Sequence, residues 1–373
     1  MFLSLKKFWQ TLLQELKQAW VGLNLVLGVA IAGRFIHNSI TNSTLNRSIS
    51  EILIAVLLGL YLRNWIGLGE RTKAGIKFSI QRILRLGIIL LGLRLSLQDV
   101  AATGLTALIL VTVCIIVALI LAYFAGRIFH VPPRLATLIG VGTAICGNTA
   151  IVATAPVLDA TDEETSFAVA TITLFGLLAV LLYPIIGHLI GLSDRSFGLW
   201  AGTAVNDTSQ VVAVGAIFSQ AALNVATIVK LTRNTLMAPL IVLIGLFYSR
   251  GLKMEMSDKA AKASRLNWGK LIPGFVIGFL IMSLIRTTGV ALGFLPQNVA
   301  APGNLHLAAN ILGILDEISK FAILMALAAV GLNTDLSNLR KIGFKPLIVG
   351  TCVAIVMALL SLSLILFTPL GSI

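Results

Sequence analysis

Apolar runs of about 20 residues recur along the chain and are separated by short polar segments. A run of this length is sufficient to cross the hydrocarbon core of a bilayer as a helix. The pattern predicts about eleven such helices, which cover residues 20–37, 50–66, 83–98, 104–124, 135–157, 164–189, 197–217, 222–247, 271–289, 305–333 and 346–367. The predicted fold class is therefore an all-α integral membrane protein with about 11 transmembrane helices.

Residues 1–19 show a different pattern, with apolar side chains on one helical face and Lys and Gln on the other. Because the segment has no small-residue cleavage site, we expect an interfacial amphipathic helix rather than a signal peptide. Residues 20–373 contain no hydrophilic stretch long enough for a soluble domain. We therefore expect a single polytopic membrane transporter domain there.

The composition agrees with this prediction, since 57% of the residues are hydrophobic, 12% are charged and the mean hydropathy is +0.97. A net charge of +13 would suggest nucleic-acid binding in a soluble protein. Here most of the Lys and Arg residues lie in alternate loops between the apolar runs. The positive-inside rule then predicts an N-in/C-out topology in the cell membrane, with the lipid bilayer rather than nucleic acid as partner.

The cysteines and histidines do not indicate a metal site. Cys114, Cys146 and Cys352 lie in apolar segments without CxxC spacing, and the four histidines are isolated from one another. We therefore expect no metal, no other cofactor and no disulfide framework.

Two polar motifs interrupt apolar segments in a similar way, GTAICGNTAIVATA at 142–155 and GTAVNDTSQVVAVG at 202–215. The glycines of the first motif predict a helix break near Cys146 and Gly147, where Asn148 and Thr149 can replace lost backbone partners. The two half-helix ends at such a break would offer N–H groups to an anion and carbonyl groups to a cation near the membrane midplane. The alternative is a glycine-lined crossing of unbroken helices.

The second motif is followed at a similar depth by two cations on one helical face, Lys230 and Arg233. Asp207 is a candidate partner for either, which would leave surplus positive charge beside hydroxyl and amide groups. That combination favours an oxyanion. The predicted substrate-binding residues are Lys230, Arg233, Asn206, Asp207, Thr208, Gln210, Cys146, Gly147, Asn148 and Thr149. The alternative is a purely structural buried ion pair.

A third cluster places Asp316, Glu317 and Lys320 in the middle of the long run 305–333. The length of this run fits two half-helices that meet at the acids. Asp316 and Lys320 are spaced i, i+4 and can pair, which leaves Glu317 as the least compensated carboxylate. We predict that this cluster binds the coupling ion, a proton or sodium. The alternative is that the acids are solvated at a wet junction.

Two further segments resemble each other, 92–108 and 331–347, in each of which a helix ends, turns and re-enters. In the predicted topology they turn on opposite sides of the membrane. That arrangement indicates inverted repeats, a common construction in secondary transporters. Chance similarity between apolar low-complexity segments is the alternative.

Five motifs in order, RILRLGIILLGLRLS, GTAICGNTAI, WAGTAVNDTSQVVA, IVKLTRNTLMAP and KFAILMALAAVGLNT, resemble the YeiH-type family of sulfate exporters. This family is similar to the superfamily of cation/proton antiporters and anion transporters. The resemblance implies inverted repeats with crossed discontinuous helices near the midplane. It also implies a cavity lined by Cys146, Gly147, Asn148, Asn206, Asp207, Gln210, Lys230 and Arg233.

The predicted function is a secondary transporter that exports a small inorganic or organic anion, such as sulfate or a sulfonate, by ion-coupled alternating access. An anion channel and a cation/proton antiporter that uses the buried carboxylates are the alternatives. We do not expect an enzyme, since the sequence contains neither HExxH nor GxSxG, and it has no GxxxxGK[ST] motif for ATP. A second copy of the chain, in a homodimer, is a further candidate partner.

Overall fold

The computed structural model describes residues 2–40, 50–251, 274–296, 307–337 and 343–368. Regular structure within these ranges is helical throughout, as the predicted fold class requires. The α-helices are α1 (Phe2–Ile40), α2 (Glu51–Tyr61), α3 (Glu70–Phe78), α4 (Leu84–Leu91), α5 (Leu97–Ile128), α6 (Pro133–Ala144), α7 (Asn148–Leu158), α8 (Asp162–Leu189), α9 (Asp194–Ala204), α10 (Thr208–Phe218), α11 (Gln220–Thr235), α12 (Met237–Gly251), α13 (Gly274–Ala291), α14 (Leu307–Asn333) and α15 (Phe344–Phe367).

Six segments of the described chain are helical, long and apolar enough to cross a membrane. They are Gln14–Ser39, Leu97–Ile128, Asp162–Leu189, Gln220–Gly245, Gly274–Ala291 and Phe344–Phe367. Two other predicted spans are each formed by a pair of shorter helices, because residues 135–157 form α6 and α7, and residues 197–217 form α9 and α10. The count of about 11 spans and the N-in/C-out orientation stay predictions.

Helix α1 is continuous from Phe2 to Ile40, so the segment predicted to be interfacial and the first predicted span belong to one helix. Its membrane-length apolar portion begins at Gln14. The position of residues 1–19 at the bilayer surface stays a prediction.

The chain divides into two compact units. Unit 1 comprises Met1–Leu97 and Gly278–Ser337, and unit 2 comprises Gln98–Ile277 and Asn338–Ile373. In unit 1, α14 packs against α2 at a close helix contact. An added Cβ at Gly59 would lie 2.6 Å from the Ala328 carbonyl oxygen, and one at Gly331 would lie 2.2 Å from that of Val56. Since no larger side chain fits between these backbones, the two glycines set the separation of α2 and α14.

The C-terminal end of α14 is joined to the π-helical turn Leu62–Ile66, which continues α2. Arg63 pairs with Asp335 at 2.8 Å. Asn64 donates to the Thr334 carbonyl at 3.0 Å and accepts from the Leu336 N–H at 2.7 Å. These bonds satisfy backbone groups that the end of a helix would otherwise leave without partners.

Unit 2 contains α5 to α12 and α15, and its centre is formed by two pairs of half-helices, α6 with α7 and α9 with α10. Helix α8 packs against α6, α7 and α10, while α11 packs against α9 and α10. Gly176 of α8 makes room for Gln210 at the start of α10, because an added Cβ would overlap the Gln210 amide. This close contact holds α8 against the start of α10, directly after the break between α9 and α10.

Candidate functional site

The first break separates α6, which ends at Ala144, from α7, which begins at Asn148. Gly147 has φ +65° and ψ −124°, a conformation that side-chain-bearing residues rarely adopt. The helix break predicted near Cys146 and Gly147 is therefore present. Gly147 has no side chain that could cap α7, and the Ala150 N–H donates to the Cys146 sulfur. The N–H groups of Asn148 and Thr149 have no backbone acceptor among the described residues, so they keep their capacity to bind a ligand.

The second break separates α9, which ends at Ala204, from α10, which begins at Thr208. Asp207 caps α10, because its Oδ1 accepts hydrogen bonds from the Ser209 N–H at 2.9 Å and the Ser209 hydroxyl at 2.7 Å. Gln210 Oε1 in turn accepts from the Asp207 N–H at 3.3 Å. This reciprocal capping box orders the start of α10.

The two breaks lie directly against each other. An added Cβ at Gly147 would be 3.2 Å from Asp207 Cα and 3.3 Å from both Asp207 Cβ and Oδ2. The starts of α7 and α10 and one carboxylate therefore share a single small volume, which we term the crossing.

Lys230 of α11 is completely buried beside the crossing. Its ammonium donates to the carbonyl oxygens of Ile145 at 2.8 Å, Val205 at 3.2 Å and Asn206. An ammonium has three N–H donors, so all of them are used by the linkers that join the half-helices.

Arg233 lies one turn further along α11 and is 1% exposed. Its guanidinium donates to carbonyl groups at the C-terminal ends of both first half-helices. The acceptors are the oxygens of Thr143, Ala144 at 2.6 Å, Gly202 at 3.4 Å, Thr203 at 2.9 Å and Val205 at 3.0 Å. These carbonyls lie where a helix leaves its last acceptors without partners and where its dipole is negative.

The cations and Asp207 thus bind different groups from those that the sequence suggested. Among the described residues, the ion pairs do not include Asp207, which caps α10 instead of orienting Lys230 or Arg233. The physical reason is that buried backbone carbonyls at the ends of α6 and α9, which have no partner within the helix, require hydrogen-bond donors as strongly as a carboxylate does. Direct contact between these cations and an anion stays a prediction; in this conformation their donors point to carbonyls.

The accessible part of the crossing is formed by the starts of α7 and α10. Thr149 is exposed, and Asn148, Asp207 and Thr208 are half-buried. The other predicted site residues lie behind this surface. Cys146, Gly147, Asn206, Gln210, Lys230 and Arg233 are buried.

Several polar groups around the crossing lack a hydrogen-bond partner within the described part of the chain. They are Thr143 Oγ1, Asn148 Oδ1, Asn206 Oδ1 and Asn234 Oδ1. The Nδ2 groups of Asn148 and Asn234 make long contacts of 3.5 Å to the hydroxyls of Thr173 and Thr208. Since an amide can present either end after rotation, these asparagines can direct N–H groups or oxygens at a ligand.

Asn234 and Thr173 were not among the residues predicted from the sequence. Asn234 directly follows Arg233 in the segment KLTRNT, so a polar residue adjacent to a buried cation was the available signal. Thr173 lies in the largely apolar middle of α8, and its role depends on packing that the sequence does not display.

The predicted coupling residues form an ion cluster in unit 1. Asp316 binds Arg94 and, at 3.0 Å, Lys320. Glu317 binds Lys320 at 2.7 Å and Arg34 at 3.5 Å. Glu317 shares both of its cations, because Lys320 also binds Asp316 and Arg34 also lies 3.6 Å from Glu51. That Glu317 is the least compensated carboxylate stays a prediction. The side chain of Asp316 is 12% exposed and that of Glu317 is 56% exposed, so Asp316 is the more buried of the two acids.

Helix α14 also differs from its prediction. It is continuous from Leu307 to Asn333, so half-helices do not meet at the acids. Residues 314–330 contain neither Gly nor Pro, and α14 accommodates the charges by pairing them rather than by unwinding. Binding of a coupling ion by this cluster stays a prediction.

Comparison with known proteins places this chain among membrane proteins. A family model described as "Conserved hypothetical protein 698" matches residues 21–350. A UPF0324 membrane protein of Streptococcus agalactiae is 37% identical over 317 residues, which cover 84% of this chain and 87% of that protein. A UPF0324 membrane protein of Clostridium tetani is 33% identical over 352 residues, or 93% of this chain and 96% of the relative.

These matches cover nearly all of the segment that carries the five motifs. The resemblance to the YeiH-type family is thereby confirmed. The chain belongs to the UPF0324 family of membrane proteins.

Proposed function

We propose that this protein is a secondary transporter that exports a small inorganic or organic anion, such as sulfate or a sulfonate, by ion-coupled alternating access. The observation that carries the proposal is the balance of charge at the crossing. Two buried cations, one carboxylate and four half-helix ends converge there.

The balance favours a negatively charged ligand. The C-terminal ends of α6 and α9 carry roughly half a negative charge each, which offsets about one of the two cations Lys230 and Arg233. The N-terminal ends of α7 and α10 carry roughly half a positive charge each and offset Asp207. About one positive charge remains, and in a medium of low dielectric constant an anion would neutralise it.

The accessible surface supplies suitable donors for such an anion. The N–H groups of Asn148 and Thr149 at the start of α7 have no backbone acceptor among the described residues, and the Thr149 side chain is exposed there. Thr208 supplies a hydroxyl at the start of α10. Rotation of the Asn148 amide would add a further N–H group. An oxyanion would therefore bind at half-helix N-termini, while Lys230 and Arg233 hold the positive potential from behind.

The coupling ion has a separate candidate site in unit 1. Asp316 is half-buried between Arg94 and Lys320, so protonation of its carboxyl would change the charge of that cluster. We propose the cluster of Asp316, Glu317 and Lys320 as the place where a proton or sodium ion is coupled to transport.

A cation/proton antiporter is the second candidate function. The observation in its favour is the group of unpartnered oxygens of Asn148, Asn206 and Asn234, which lie around the crossing that contains the Asp207 carboxylate. Carboxylate and amide oxygens are ligands that hard cations prefer. The surplus positive charge behind them opposes a cation and makes this reading the weaker one.

Flux measurements in proteoliposomes test the proposal. Purified protein would be reconstituted, and uptake of labelled sulfate would be recorded with and without an imposed proton gradient. We expect saturable uptake that the gradient accelerates. Gradient-independent flux at channel rates would contradict the transporter, and sodium/proton exchange without anion flux would favour the antiporter.

The substitution Asn148→Asp separates anion binding from folding. The substitution places a carboxylate in the first turn of α7, where the positive end of the helix dipole stabilises it. The same carboxylate would repel a bound anion. We expect anion uptake to fall by on the order of 100-fold while thermal stability is retained. Asn224→Asp, the same change in the first half of α11, is the matched control and should leave uptake unchanged.

A further inference from the structure

Seven backbone carbonyl oxygens converge on the two buried cations. They belong to residues 143–145 at the first break and to residues 202, 203, 205 and 206 at the second. We term these seven groups the carbonyl cage. Both first half-helices end in the cage, so it collects the negative ends of two helix dipoles.

The nearby backbone N–H groups do not neutralise the cage. The N–H groups of Ile145, Gly147 and Val205 donate to the carbonyls of Val141, Gly142 and Ala201, which lie earlier in α6 and α9. The oxygens of the cage therefore depend on donors from elsewhere. Partial negative charge from several carbonyls in a buried volume is the chemistry of a site for a monovalent cation.

We propose that the carbonyl cage is a cation-binding site whose cation is part of the chain. The Lys230 ammonium and the Arg233 guanidinium occupy it, so a free monovalent cation does not bind at these half-helix ends. Removal of the Lys230 side chain beyond Cβ opens the site to a primary alkylammonium ion. The consequence for transport rests on the proposed function: the cage supplies fixed charge behind the anion rather than a co-transported cation.

Lys230 and Arg233 play different parts in the cage. The guanidinium spans both helix ends with its planar fork, whereas the ammonium binds the linker carbonyls of Ile145, Val205 and Asn206. An ammonium is a compact charge on a flexible apolar stem. Lys230→Ala therefore leaves a space with the shape and charge preference of propylammonium, which corresponds to the four heavy atoms removed.

Thermal unfolding of the purified full-length protein tests the proposal. We expect Lys230→Ala to lower Tm by roughly 5–10 °C, because it leaves buried carbonyls without donors. Titration with propylammonium chloride should restore most of this loss. Propanol, which has the same size but no charge, should not restore it, and wild-type Tm should respond equally to both compounds.

Two further variants serve as controls. Lys230→Met keeps the apolar stem without the charge, so it should be destabilised but should not respond to propylammonium. Lys77→Ala makes the same deletion at an exposed position on α3 and should neither lower Tm nor create a response.

The proposal is overturned if Lys230→Ala is as stable as the wild type, or if propylammonium is no better than propanol. If the variant fails to fold alone, it would be purified with either compound present. Recovery of monodisperse protein with propylammonium alone supports the proposal, and failure with both contradicts it. These stability measurements do not depend on transport. Absence of anion flux in proteoliposomes would contradict the proposed function, whereas the thermal measurements alone decide whether the carbonyl cage binds a cation.

Discussion

Gly147 is the residue on which contact between the two breaks depends. Its φ of +65° suits glycine, and the space that a Cβ would occupy is bordered by Asp207. We expect Gly147→Ala to reduce the free energy of unfolding by roughly 1–3 kcal/mol and to abolish anion transport, because the start of α7 would shift. Thermal unfolding and proteoliposome uptake are the measurements.

Gly28→Ala is the control for this prediction. Gly28 lies in α1 and an added Cβ would have nothing within 4 Å, so the change should leave stability equal or higher. Equal behaviour of the two variants would contradict the role assigned to Gly147.

At the residue scale, the sequence was informative about which side chains matter and less so about what they bind. Lys230 and Arg233 stand out as charges in an apolar run, and both are buried at the crossing. Their carbonyl partners could not be read from the sequence, because every residue has a carbonyl and only the fold shows which ones lack donors. Asp207 and Gln210 have the spacing of a capping box, but the charge of Asp207 suggested an ion pair instead.

At the scale of elements, the second halves of the two broken helices differ in how they begin. The Asp207 carboxylate caps α10, whereas the side chain that accepts from the first turn of α7 is the Cys146 thiol. We expect Asp207→Asn to keep the cap and to strengthen anion binding by roughly 10-fold, since it removes one negative charge. Binding isotherms with sulfate would measure this change.

Asp207→Ala separates the charge from the cap. It removes both, so it should destabilise the protein by about 1 kcal/mol more than Asp207→Asn does. Loss of anion binding in Asp207→Asn would contradict the charge balance proposed for the crossing.

The link between α14 and the turn after α2 makes a prediction about pH. The Ser337 hydroxyl, which donates to Asp335, lowers the pKa of that carboxyl below its ordinary value, and Arg63 adds to this shift. A lowered pKa in the folded state means that the ionised form stabilises the fold above the ordinary pKa of Asp. That contribution is lost as the pH falls through the pKa of the folded protein.

We therefore expect Asp335→Asn to lower stability by at most about 1 kcal/mol at pH 7, and by progressively less as the pH falls below the ordinary pKa of Asp. Thermal unfolding of wild type and variant across this range is the measurement. A difference between them that stays constant down to pH 3 would contradict the assignment.

The helix breaks were predictable where the sequence supplies a cause. Gly147 and the polar residues around it interrupt an apolar run, and the break is found there. The break expected in α14 is not found, because charged residues can pair along one helix face without unwinding it. Long apolar runs alone do not distinguish continuous helices from half-helices or π-helical turns.

For the whole molecule, composition and hydropathy were sufficient to predict a helical membrane protein. The division of the chain into two compact units was not predicted, since unit 1 combines residues before Leu97 with residues after Gly278. Such contacts between distant segments arise from close packing at glycines, as between Gly59 and Gly331, and hydrophobic patterning does not specify the pairing.

The central claim at this scale is that the crossing binds an anion through half-helix N-termini backed by buried cations. Isothermal titration of the purified protein with sulfate and with small sulfonates tests it most directly, for the wild type, Asn148→Asp and the control Asn224→Asp. The account predicts that wild type and control bind at least one of these anions, and that Asn148→Asp binds it on the order of 100-fold more weakly with unchanged thermal stability. Equal affinity in all three proteins, or binding of sodium in place of every anion tested, would contradict it.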